Sequence, residues 1–125
     1  MSTLRIGIRT HEEAKARIRA IASGVAERDP NEPTVWVTSL ASLAQVLSED
    51  NLALLRLIAE REPNSLTELA DLSGRAVSNL SRTLSTMESY GMVVMTEVGR
   101  AKAPRVACDR VEIVMPTLVP KIAAE

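Results

Sequence analysis

The sequence predicts an α+β fold, mainly helical with a small β portion, and three observations carry that expectation. Between Ser39 and Ser89, successive stretches place apolar residues three or four positions apart, the period of helices with one buried face. Gly91 then stands where a left-handed helix end belongs. Beyond it, MVVMTE (92–97), RVACD (105–109) and VEIVM (111–115) read as β-strands.

The totals fit this class. A chain of 125 residues with 46% hydrophobic content suits one compact domain with an appended arm. A quarter of the residues are charged, which argues against general disorder. Phe is absent and Trp36 and Tyr90 are the only aromatics, so Leu, Ile, Val, Ala and Met must build the core. Cys108 is alone, which excludes an intrachain disulfide and a cysteine zinc cluster. No apolar run approaches the roughly 20 residues that span a bilayer, and no signal peptide is visible. A cytoplasmic protein with no membrane partner is the expectation.

At the N-terminus, LRIGIR (4–9) alternates apolar and polar residues and predicts a short half-buried strand. Thr10 can cap a helix from His11 to about residue 26, with Glu12 and Glu13 in its first turn. Its apolar face is expected from Ala14, Ile18, Ile21, Ala22 and Val25. ERDPNEP (27–33) reads as a linker or exposed loop. PTVWVTS (33–39) predicts another short strand, followed by a helix from Ser39 to Leu47. Ser48 caps the next helix, whose buried side is expected from Leu52, Leu55, Leu57, Ile58 and Ala59 and which Pro63-Asn64 ends. Ser65-Leu66-Thr67-Glu68 fits a capping box. Leu72-Ser73-Gly74 turns the chain into a second helix over about 75–89. VGRAKAP (98–104) reads as a basic loop between strands, and the tail from Pro116 as surface chain. Three parts follow: a strand–helix arm over 1–32 suited to dimerisation, a domain over 33–115, and a tail over 116–125.

Charge is distributed unevenly. The net charge is −1, yet residues 73–110 hold six Lys/Arg against three Asp/Glu, while residues 1–72 hold eight against eleven. A local basic segment is what a DNA-contacting module needs, because Lys and Arg release counterions when they neutralise phosphates.

Three helices followed by a hairpin with a basic tip is the layout of a winged helix-turn-helix, and Gly74 supplies the small residue its turn requires. The stripe Val77, Leu80, Leu84 and Met87 is expected to face inward. At 100° per residue, Arg75, Ser78, Asn79 and Arg82 then face outward, with no acid on that side until Glu88. Arg can fork to guanine, Asn can pair with adenine, and Ser is a short adaptable donor. Arg100, Lys102 and Arg105 are expected on the DNA backbone, and Ser65 and Thr67 at phosphates beside a helix start.

SLTELADLSGRAVSNLSRTLSTMESYGMV resembles the helix-turn-helix of winged-helix regulators of the MarR/ArsR-like class. The span from about residue 36 to 115 is similar to small prokaryotic DNA-binding proteins with an "ELA…G…V.N…R.L..LE..GLV" core and a closing strand like VEIVM. The resemblance implies that Arg75, Ser78, Asn79 and Arg82 hold recognition-helix positions and that Gly99 to Pro104 is the wing. MESYGMV departs from the usual Leu-Glu-x-x-Gly-Leu-Val, with Met87 and Met92 keeping the apolar character.

The functional expectation is a sequence-specific, double-stranded-DNA-binding transcriptional regulator, most simply a homodimeric repressor. Two alternatives stand beside it: an antitoxin-type autorepressor that also binds a toxin protein, which the resemblance suggests, and a winged-helix protein scaffold without DNA binding. No catalytic grouping, phosphate-binding glycine loop or cofactor motif is visible, so neither an enzyme nor a cofactor is expected. His11 stands alone at a helix start, which argues against a metal, and Cys108 reads as a small buried hydrophobe.

Overall fold

The computed structural model describes residues 2–27 and 32–117. Among them the order is β1 (Ser2–Ile8), α1 (His11–Ala22), β2 (Val35–Val37), α2 (Leu40–Val46), α3 (Glu49–Arg61), α4 (Leu66–Ser73), α5 (Val77–Tyr90), β3 (Val93–Val98), β4 (Ala101–Val106) and β5 (Cys108–Val114). The α+β class expected from the sequence is what forms. The described residues make two compact units, one of Ala44–Arg110 with the extreme N-terminus, the other of Leu4–Leu43 with the segment that follows from Val111.

In the second unit, β1 is the central strand of a three-stranded sheet ordered β2-β1-β5. β1 and β2 run parallel, with Ile6 opposite Val35, Gly7 opposite Trp36 and Ile8 opposite Val37. Parallel neighbours need a crossover, and α1 supplies it. The strand expected at 33–39 forms as Val35–Val37, with β1 as its partner. Gly7 is required where it stands, because a Cβ there would lie 2.1 Å from the Trp36 ring. The Arg9 guanidinium lies 3.3 Å from the ring centroid, so the indole is covered by backbone and by cation. Ile6 and Leu43 are fully buried and Val37 nearly so.

Thr10 caps α1, as the sequence predicts, and Glu13 completes a capping box with it. The helix ends sooner than expected, at Ala22, and Gly24 takes a positive φ of 80°. Val25 therefore leaves the helix and is 59% exposed, while Ile18 is 65% exposed and Ala20 is the buried residue of α1. Arg17 is tied down, donating from Nε to Glu32 Oε1 at 2.8 Å and from Nη2 to the Glu27 carbonyl at 2.7 Å. Residues 28–31 of the expected loop, and 118–125 of the expected tail, lie outside the described residues.

The first unit is built by α3, α4, α5 and the β3–β4 hairpin. The hairpin packs on all three helices, β3 on α5 and β4 on α3 and α4. Leu54, Ile58, Leu69, Leu80, Leu84, Met87, Met92 and Val93 fill the space between them. Burying each such side chain is worth about 1.5–3 kcal/mol. On α3 the buried positions are Leu54 and Ile58, with Leu52, Leu55 and Leu57 half-buried and Ala59 exposed. Ser48 caps this helix through Asn51 N at 3.2 Å.

The hairpin is tighter than the sequence suggests. Val98 pairs with Ala101, so the connection shrinks to Gly99-Arg100, with Gly99 at a φ of 61°. Much of the expected loop, from Ala101 to Pro104, is strand. Pro104 is tolerated opposite Met95 because a residue without an N–H can occupy a non-hydrogen-bonded pair of an antiparallel ladder.

Candidate nucleic-acid interface

α4 and α5 are joined by a short turn whose geometry follows from a few residues. Gly74 ends α4 in the left-handed region, at φ 75° and ψ 11°, and its N–H returns to the Ala70 carbonyl at 2.9 Å. Arg75 N donates to Ser73 Oγ, and Ala76 is the N-cap of α5. Ala has no side-chain acceptor, so no cap bond closes the first turn of α5 and no acid neutralises it. That end of α5 keeps its positive partial charge and its unsatisfied N–H groups, the arrangement that attracts phosphate.

The helix begins at Val77, two residues later than expected, and this moves Arg75 off it. The Arg75 guanidinium is half-buried and faces α3. It donates from Nε to Asn79 Oδ1 at 2.8 Å, from Nη1 to Asn51 Oδ1 at 3.1 Å and from Nη2 to Thr83 Oγ1 at 3.2 Å. Asn51 is itself held, since its Nδ2 donates to the Val46 carbonyl at 3.0 Å. Arg75 and Asn79, expected to face outward with Ser78 and Arg82, are therefore joined to each other and turned toward α3. Val77, expected in the inward stripe, is 44% exposed, whereas Leu80, Leu84 and Met87 are buried as expected.

The outward surface of α5 is Ser78, Ser81, Arg82 and Ser85, followed by Thr86, Glu88 and Ser89. Among the described residues Arg82 has no ion-pair partner. The Thr86 and Ser89 hydroxyls turn back onto the carbonyls of Arg82 and Thr86. Small side chains at 78, 81 and 85 leave the α5 backbone low and approachable, with Arg82 as the long cationic group among them.

The remaining predicted residues divide. Arg100 and Lys102 are exposed at and beside the hairpin tip, although Lys102 stands directly across from Glu97, which tempers its charge. Arg105 is not at the tip. It is half-buried and donates from Nη1 to the carbonyls of Pro63 at 2.6 Å and Pro104 at 2.7 Å, bracing the loop before α4. Ser65 caps α4 by accepting from Glu68 N at 3.0 Å. The reciprocal half of the expected box shifts by one residue, because the Glu68 carboxylate accepts from Asn64 N instead. Thr67 is exposed in the first turn of α4.

Sequence reasoning missed Asn51 and Thr83. Thr83 follows Asn79 by one helical turn, which was legible as a shared face. Asn51 lies far away in the chain, and only the packing of α3 reveals it. Elsewhere in the unit, Cys108 opens β5 and is buried, and that burial pushes its thiol above the ordinary value. Among the described residues no group of His, Cys, Asp and Glu is placed to hold a metal ion, and no helix is long and apolar enough to cross a membrane.

Residues 46–113 match a family model described as HVO_A0114, a span that takes in α3, α4, α5, the hairpin and nearly all of β5. The chain belongs to the HVO_A0114 family. The matched segment covers more than half of the chain and includes both the Arg75 network and the outward row of α5, so the candidate interface lies inside the family region. No curated protein and no solved structure gives a significant match.

Proposed function

We propose that this HVO_A0114 family member is a winged helix-turn-helix DNA-binding transcriptional regulator of MarR/ArsR-like type. In this reading α4 and α5 are the helix-turn-helix, α5 enters the major groove, and the β3–β4 hairpin is the wing. One observation carries the reading: α5 starts at an uncapped N-terminus and presents Ser78, Ser81, Arg82 and Ser85 with no acid before Glu88. A solvated helix would gain from an acid in its first turn, and this one has none. Arg82 reads a base edge or clamps a phosphate, while Arg100 and Lys102 hold the backbone. Ser65 acts through its cap and Arg105 through its bracing of the loop, so both support the interface instead of touching DNA.

The protein acts as a homodimer. Ile18, Val25, Ile113 and Met115 are exposed apolar side chains of the other unit and give a second copy something to cover. Two copies on two half-sites supply affinity that one small module lacks.

Selection of bound sites from random double-stranded DNA tests the whole reading. The expected product is an inverted repeat whose half-sites lie about one helical turn apart, bound with an affinity that falls steeply with salt. Recovery of no enriched sequence, with no salt-sensitive binding, would refute it.

A further inference from the structure

The first unit contains an open groove of about 790 Å³ that the proposed DNA contacts leave unused. One wall is α3, with Ala53, Leu54 and Leu57, and the opposite wall carries Leu72 from the end of α4. Its polar end is Arg75, flanked by Asn51 and Asn79, which also line the groove. The volume lies within the range of small-ligand sites, and the mixture of apolar wall and convergent polar groups is what such sites show.

Arg75 decides the chemistry. A guanidinium has five N–H donors, and three of them go to Asn51, Asn79 and Thr83. All three acceptors are neutral, and among the described residues no carboxylate pairs with Arg75. A half-buried positive charge therefore keeps two donors and no counter-charge. The other charged group on the lining is Asp50, an exposed carboxylate. One cation beside one carboxylate favours a ligand of charge −1 over a dianion, and the leucine wall requires that ligand to carry an apolar body.

We propose that this groove binds a small monocarboxylate with an apolar chain or ring, its carboxylate on the two remaining donors of Arg75 and its body against Leu54, Leu57 and Leu72. The site does not depend on what α5 binds. Occupancy is felt on α5 in either case, because Arg75 also holds Asn79 and Thr83.

A titration of the full-length protein with hexanoate, followed by amide NMR, tests the proposal. Saturable shifts are expected at Asn51, Asn79 and Thr83. Acetate should bind far more weakly, since each buried methylene is worth about fourfold in affinity, and inorganic phosphate, which the first turn of α5 can attract at Asn79, should leave the Asn51 signal unshifted. Arg75→Met should weaken hexanoate about tenfold or more. Because that change also cuts the network that joins α3 to α5, Ala53→Phe provides the independent check. It fills the groove from an exposed helix position, and should abolish binding while leaving the rest of the spectrum native. Absence of saturable shifts in the wild type would overturn the proposal. So would phosphate shifting Asn51 as tightly as hexanoate does, or hexanoate binding unchanged by Ala53→Phe.

Discussion

Arg75 and Arg82 stand at the two ends of one short stretch, and the protein uses them in opposite ways. Arg75 precedes α5 and turns inward, with three neutral oxygens from α3 and α5 around its guanidinium. Arg82 lies on the helix and points to solvent, without an ion-pair partner among the described residues. The same side chain serves packing in one place and is left open in the other. The cause is local. Gly74 turns the chain in the left-handed region and Ala76 delays the helix, so Arg75 never joins the face that the spacing assigns to it. A polar residue near a helix start acquires its role from where the helix begins.

This contrast can be broken at several points, and the buried layer beneath both arginines should respond most. Leu84→Ala, at a position 2% exposed, is expected to cost about 2–5 kcal/mol in urea unfolding, through lost burial and the cavity left behind. A cost below about 1 kcal/mol would mean that α5 is not packed as described. Arg75→Met should come next, at about 1–3 kcal/mol, since it leaves Asn51, Asn79 and Thr83 without their shared donor. If its unfolding midpoint equals that of the wild type, the inward role is wrong. The smallest effect belongs to Cys108. Its folded-state pKa is raised above the ordinary thiol value chiefly by burial, opposed by a backbone hydrogen bond at Arg110, with the nearby Asp109 adding a smaller upward push. A raised pKa means that folding favours the thiol. Its stabilising contribution is full below the unfolded pKa and is lost as pH rises through the folded value. The stability difference between wild type and Cys108→Ala should therefore shrink above about pH 9 and stay constant from pH 6 to 8.

Much of the 44–110 unit was legible because its signals are local. Ser48 and Ser65 as caps, Gly74 and Gly91 as helix ends, and Leu80, Leu84 and Met87 as the inner stripe all follow from short-range chemistry. The errors lie where a local rule met a competitor. Val77 is apolar and in register with the stripe, but it occupies the first turn, where the helix has not yet reached the core. Val25 fits the helical face expected of α1, but the helix stops at Ala22 and the chain turns at Gly24. The glycine, alanine and proline of 98–104 read as loop, yet a two-residue turn suffices and Pro104 falls where no donor is needed. Pairing of β1 with β2 and β5 joins residues far apart in sequence, and no periodicity announces it. The same holds for the candidate site. Ser78, Arg82 and Lys102 are readable as exposed because each sits on a regular element, and Arg100 because it sits at a turn tip, whereas Arg75 and Arg105 find acceptors at Asn51 and Pro63 that only tertiary packing brings near.

In the proposed function the outward row of α5, and not the inward network, meets DNA. Its most direct test is Arg82→Ala, measured side by side for urea stability and for binding to a selected DNA site. Stability should stay within about 0.5 kcal/mol of wild type, while binding should weaken by about 1–3 kcal/mol with relaxed base preference. Unchanged affinity and unchanged sequence preference in a normally folded Arg82→Ala protein would contradict the claim.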